Sequence, residues 1–229
     1  DSLVGISICN RKDKAFYIPV AHAPSLVRAG EQIGLKDTIR ALSPVLQDAG
    51  ISKIGHNLKY DLMLLGQNGV SVAGKLFDTM IAAYLLNPNK ANHSLDEVSF
   101  EYLSRKKKSF MEVVKKRASF AEVPLEEATS YAAEDAALSY ELKDLLFNKL
   151  EENGLSKIYF DMEMPLIEVL LDMEKSGIKI DPALLNSLSR EMSTEIDSIQ
   201  KRVFFLAGEE FNINSPKQLS AVLFHSLGL

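Results

Sequence analysis

The chain has 229 residues, is 46% hydrophobic and 25% charged, and carries a net charge of −5, the profile of a globular protein rather than of a disordered or collagen-like chain. The mildly acidic balance gives no global signal for nucleic acid, although a local basic patch remains compatible with it. Cys9 is the only cysteine, which excludes an intrachain disulfide and fits a reducing compartment, and no apolar run reaches the roughly 18 residues of a membrane span.

In chain order, LVGISIC (3–9) and AFYIPV (15–20) are β-type runs separated by a charged turn and read as a hairpin. Residues 36–49 read as an amphipathic helix stopped at Gly50. ISKIGHN (51–57) reads as a short buried strand and LKYDLMLLGQNG (58–69) as a helix ending around Gly66 and Gly69. KLFDTMIAAYLLNP (75–88) reads as a further helix closed by Pro88. Strands alternating with helices predict an α/β domain.

Residues 105–117 hold seven Lys or Arg against one Glu. Such a run is either a solvated connection or a phosphate-contacting patch. Pro124, Glu126 and Glu127 then open a long helix, with acids suited to its N-terminal dipole, which continues to Gly154. Residues 158–177 form a helix with an apolar stripe expected in the core. GIKID (177–181) is extended, Asp181-Pro182 caps a helix ending near Gly208, and Ser215-Pro216 starts another. The composition shift near 155 places a domain boundary between 1–155 and 156–229. Asp1 in place of a methionine, and the abrupt C-terminus, read as a piece of a longer protein.

Phosphate loops, dinucleotide fingerprints, nucleophile elbows and zinc-protease motifs are absent. Four scattered histidines and one cysteine do not make a zinc site, so a metal here would be a hard cation held by oxygen. Two constellations remain. In IGHNLKYD (54–61) a strand runs into His56 and Asn57, and Tyr60 and Asp61 occupy the first helical turn. In TSYAAEDAAL (129–138) Tyr131 and Asp135 are four apart, hence on one helix face, surrounded by Ala132, Ala133, Ala136 and Ala137. From spacing alone, the first reads more readily as an ordinary helix start with a dipole-compensating Asp, and the second as a surface pair, than either does as a site.

The stretches LVGISIC, AFYIPVAH, IGHNLKYD, FDTMIAAYLLNP, YAAEDAALSYEL, MEMPLIEVLLDMEKSGIKID and FNINSPKQLSAVLF occur in the order and spacing of bacterial family A DNA polymerases. The chain resembles that family over essentially its whole length. The first five stretches resemble its 3′–5′ proofreading exonuclease domain, and the last two the start of its polymerase thumb. The resemblance implies a ribonuclease H-like α/β fold, a mixed sheet flanked by helices, followed by a helical thumb segment. It also implies two Mg²⁺ or Mn²⁺ ions held by carboxylates. Asp61 and Asp135 would be metal-site acids, Asp135 a direct ligand, and Tyr131 would orient the attacking water. His56, Asn57 and Tyr60 lie where the family contacts a single-stranded 3′ DNA end. The implied partners are DNA and the remainder of a polymerase chain, in a monomeric, cytoplasmic, nucleoid-associated enzyme of replication and repair.

Three departures accompany the resemblance. His56 stands where the family often has glutamine. Asn92 stands where a basic residue is expected before His93. The family's first acidic motif, an Asp-x-Glu on a strand preceding LVGISIC, has no counterpart here. That strand would lie centrally in the sheet, so the fragment is expected to lack a strand, two acids and normal activity. A catalytically inactive scaffold that binds DNA or positions a polymerase domain is the alternative. A ribonuclease D-like enzyme acting on RNA shares the Tyr/Asp pair, but FNINSPKQL and GIKID argue against it.

Overall fold

The computed structural model describes residues 3–12, 14–27 and 32–228. The chain divides into two compact units, Asp1–Ser176 and Gly177–Leu229.

The first unit opens with strands β1 (Gly5–Arg11) and β2 (Lys14–Pro19), an antiparallel hairpin with a register shift between Cys9 and Arg11. Helix α1 (Leu35–Leu46) follows, ending four residues before the expected Gly50 stop. Strand β3 (Lys53–Gly55) leads into α2 (Leu58–Gln67). The segment expected to be one helix over 75–88 is instead strand β4 (Leu76–Asp78) followed by α3 (Thr79–Leu86). The correction has a clear cause. Leu76, Phe77 and Asp78 pair in parallel with Lys53, Ile54 and Gly55, and the Asp78 side chain accepts hydrogen bonds from Met80 and Ile81 N–H. Asp78 is thus an N-cap, and the helix can begin only after it.

Helix α4 (Leu95–Leu103) was not anticipated from the sequence. The basic run that follows contains a one-turn helix, α5 (Phe110–Val114), started by a Ser109/Glu112 capping box. The long helix α6 (Leu125–Glu152) comprises 28 residues and starts after Pro124 as expected. Its buried residues Leu138, Leu142, Leu146 and Leu150 recur every fourth position, the spacing that keeps one face toward a core.

The chain then runs through α7 (Ser156–Ile158), a π-helical turn (Tyr159–Glu163) and α8 (Met164–Ser176). Tyr159, Met164 and Ile167 join the core formed by Phe77, Ala82, Ala83, Leu95, Val98 and the α6 leucines. The first compact unit therefore continues past the composition shift at 155 to Ser176. The two strand pairs, β1–β2 and β3–β4, are separate sheets with no ladder between them among the described residues, and α6 packs against β1, β2 and β3.

In the second unit, α9 (Pro182–Ala207) is capped by Asp181 and ends on Gly208 in the left-handed region at φ 73°. Helix α10 (Pro216–Ala221) is capped by Ser215, and a second π-helical turn, Val222–Ser226, follows it. These cap signals were all legible in the sequence.

Tyr159 fastens the first unit. Its hydroxyl accepts from Asp78 N–H at 2.7 Å and donates to Asp78 C=O at 3.0 Å, with both residues buried. Replacing Tyr159 by Phe leaves both Asp78 backbone groups without this partner. We expect the substitution to lower stability by about 1–3 kcal/mol, read as a reduced urea midpoint. An unchanged midpoint would show that the Asp78 backbone finds other partners at no cost.

Candidate active site

The β3–α2 connection is built around Asp78. Asn57 occupies the left-handed region (φ 65°, ψ 50°), which asparagine tolerates better than most residues. This turn directs the Asn57 and Leu58 N–H groups to Asp78 Oδ1 and Oδ2, at 3.2 and 2.7 Å. A Cβ on Gly55 would fall 2.4 Å from Leu58 Cδ2, so any larger residue there would displace the Leu58 side chain.

Asp61 lies in the first turn of α2. Burial of its carboxyl and then repulsion by Asp78 push its pKa up to about 7. The residue as a whole remains solvent-exposed, so water screens part of the energetic consequence.

His56 sits behind this loop. Its Nε2 lies 2.9 Å from His93 O and its Nδ1 lies 2.9 Å from Thr79 Oγ1. A carbonyl only accepts, so Nε2 carries hydrogen. Burial pushes the His56 pKa down, which favours the neutral ring, and Nδ1 and the Gly55 carbonyl, 3.0 Å from Thr79 Oγ1, share the one hydrogen of the Thr79 hydroxyl. Both ring nitrogens are spent inside the protein, so neither is left over for a nucleotide. Asn57 and Tyr60 present exposed surface. Asn92 does not face a ligand through its Oδ1, which accepts from Ser94 N–H at 2.9 Å just before α4.

Tyr131 and Asp135 sit side by side on α6, as the spacing predicted, with Lys107 between them. Lys107 Nζ lies 2.8 Å from Asp135 Oδ1 and 4.2 Å from the centre of the Tyr131 ring, and its side chain is only 2% exposed. Asp135 Oδ1 is buried without a well-directed hydrogen bond, so the contact with Lys107 is a charge pair rather than an aligned bond. Burial pushes the Asp135 pKa up, and Lys107 opposes the shift. Burial, followed by the charge of Asp135, pushes the Tyr131 pKa up, which keeps its phenol protonated at neutral pH.

Several members of the basic run pair with this helix, while Lys106 and Lys108 remain exposed. Arg105 pairs with Glu141 at 3.0 Å, and Lys115 and Arg117 reach Glu127 at 3.7 and 3.6 Å. Beside these pairs lies a cleft of about 510 Å³, lined in part by Lys106, Lys107, Lys108, Ser130, Tyr131 and Glu134.

The structure therefore forms two clusters, one around Asp61 and Asp78 and one around Tyr131, Asp135 and Lys107. His56 feels the charges of Asp78, Lys107 and Asp96 and so lies within electrostatic reach of both. Among the described residues, no three His, Cys, Asp or Glu side chains converge as a metal cage. Sequence reasoning missed Asp78, Lys107 and Asp96. The N-cap pattern of Asp78 before TMIAAY was a readable signal, whereas nothing distinguished Lys107 within its charge run.

A family model described as 3′–5′ exonuclease matches residues 1–151. The chain belongs to this exonuclease family. It is 36% identical, over 99% of its length, to a DNA polymerase I of Pseudomonas aeruginosa, and 38% identical over 99% to one of Chloroflexus aurantiacus. It spans only 25% and 24% of those two relatives. A solved structure, the POL domain of Pol1 from M. smegmatis in complex with DNA primer-template and dNTP, matches with a TM-score of 0.65. The identity is 26%, covering 99% of this chain and 35% of that one. The fold is thus the ribonuclease H-like exonuclease α/β type followed by a helical segment, and the 3′–5′ exonuclease family assignment covers the part of the chain that holds Asp61, Tyr131 and Asp135.

The Asp61 shift carries a pH signature. An acid whose folded pKa exceeds its unfolded value binds more protons when folded, so the fold loses stability as pH rises between the two values. With a chelator present, the urea midpoint is expected to fall between about pH 4 and about pH 8 by an amount that disappears in Asp61→Asn. An identical pH dependence in the variant would remove Asp61 as its source.

Proposed function

We propose that the chain is the metal-dependent 3′–5′ exonuclease portion of a DNA polymerase I, which removes the 3′-terminal nucleotide of DNA by hydrolysing its phosphodiester. The observation that carries this reading is the Tyr131/Asp135 pair, held on one face of α6 within the matched exonuclease region and beside an open cleft. The donor chemistry fits a hard cation, since Asp135 Oδ1 is a buried oxygen whose partner is already a cation. Divalent ions bound here would polarise the phosphate and lower the pKa of the attacking water.

The chain's own residues take the remaining roles. Asp135 and Asp61 hold the cation side of the site. The Tyr131 hydroxyl, kept protonated, orients the water by hydrogen bonding. Asn57 and Tyr60 meet the single-stranded 3′ end, and His56 braces the loop that carries them. Residues 1–155 form the exonuclease domain and 156–229 the linker and first thumb helices. The whole protein works as a monomer on DNA in the cytoplasm, at the nucleoid, in replication and repair.

The 229-residue chain alone is expected to be impaired, since among the described residues Asp61 and Asp135 belong to two separate clusters and no three acids converge. The same observation favours the second reading, a DNA-binding scaffold without nuclease activity. Both readings are tested with 5′-labelled single-stranded DNA and Mg²⁺. In the whole protein, Asp135→Ala is expected to slow shortening from the 3′ end by about 10²–10³-fold. A whole protein that binds the DNA without shortening it would establish the scaffold instead. Normal shortening by the 229-residue chain would refute the impairment, and cleavage of RNA but not DNA would overturn the substrate assignment.

A further inference from the structure

Lys107 is a cation set almost wholly beneath the surface. Its neighbours Lys106 and Lys108 are exposed, whereas its own side chain is 2% exposed. Burying an ammonium is costly unless oxygens replace its water. Three groups do so here: Asp135 Oδ1 at 2.8 Å, Lys108 O at 3.1 Å and the face of the Tyr131 ring at 4.2 Å. Lys107 thereby engages both residues of the α6 pair at once.

The backbone around Lys107 is held at its two ends and irregular between them. Ser104 closes α4 in the left-handed region at φ 55°, and Ser109 opens α5 with its capping box. Residues 104–109 adopt no helix or strand. The Arg105–Glu141 pair, with Arg105 half exposed, adds only a weak surface tether. The backbone of Lys107 therefore belongs to neither helical ladder.

We propose that Lys107 is a built-in counter-cation that occupies the Asp135 position of the site, so that a divalent ion and Lys107 are mutually exclusive there. A divalent ion coordinates a carboxylate oxygen at roughly 2.0–2.6 Å. It competes with the ammonium already in contact with Asp135 Oδ1, because the two like charges repel across a poorly hydrated gap. Loading the ion requires Lys107 to leave Asp135 and Tyr131, carrying residues 105–108 toward solvent. Without the ion, Lys107 keeps Asp135 charge-paired and covers the ring of Tyr131. Lys107 is thus a positioning residue, not a catalytic one, and the site is closed by the chain itself until metal arrives.

This inference rests on the metal-site reading of Asp135, and the test separates the two. Mn²⁺ binding is measured by electron spin resonance for the chain, for Lys107→Met and for Asp135→Asn. Tryptic cleavage after residues 105–108 of the unsubstituted chain is followed with and without Mn²⁺. The expected result is about tenfold or greater tightening in Lys107→Met, loss of binding in Asp135→Asn, and faster cleavage at 105–108 when Mn²⁺ is present. Equal or weaker affinity in Lys107→Met, with binding still lost in Asp135→Asn, overturns the exclusion but leaves the metal site standing. No Mn²⁺ binding by either the chain or Lys107→Met overturns both. The proteolysis arm needs no substitution, so it decides the question even if a variant misfolds, and cleavage unchanged by bound Mn²⁺ counts against the exclusion.

Discussion

A single buried carboxylate organises the first unit. Asp78 is 1% exposed and accepts from four backbone N–H groups, two at the start of α2 and two at the start of α3. Those N–H groups belong to the donors that a helix leaves unpaired at its beginning. One side chain therefore supplies acceptors to two helices and sits in the favourable field of both dipoles. The main-chain groups of Asp78 are held in turn by Tyr159, 81 positions away in sequence. Without this knot, the β3–α2 turn would lose the partners that keep Asn57 left-handed, and Asp61 would lose its placement. The same charge also raises the Asp61 pKa, so the group that builds the site makes one of its acids harder to ionise.

The two acids of the site are managed differently. For Asp61, burial and then the charge of Asp78 both push the pKa up. Asp135 faces an ammonium, which opposes the effect of its own burial. Burial disfavours the charged form of any carboxylate; for Asp61 a second carboxylate adds to that effect, and for Asp135 a cation offsets it.

Local chemistry made part of this legible. The caps at Asp181, Ser215 and Pro124, the hairpin, and the i, i+4 pairing of Tyr131 with Asp135 depend only on near neighbours in the sequence, and they appear as read. Strand β4 was hidden because three residues, Leu76 to Asp78, precede an apolar helical run without interruption, and only pairing with β3 reveals the extended backbone. Tyr159 looked like one more apolar member of a helix, since its partner is remote in sequence. The His56 ring was placed at the ligand face by its position after a strand, but its two internal hydrogen bonds come from α3 and from the segment before α4, elements no local pattern connects to it. Lys107 was one of seven like charges, and only the fold selects it.

Helix α6 is uninterrupted over 28 residues, and this makes it a strut shared by two cores. Its C-terminal half is held by Leu138, Leu142, Leu146 and Leu150 in one cluster, and its N-terminal end by Ala128 in another, beside Val113, Val114 and Val123. Tyr131 and Asp135 lie between these two grips. A helix clamped on both sides of a pair of side chains cannot tilt at that point without disturbing one of the clusters, and close-packed interiors resist such shifts. Residues with no polar atoms in their side chains therefore fix the direction in which the phenol and the carboxylate face.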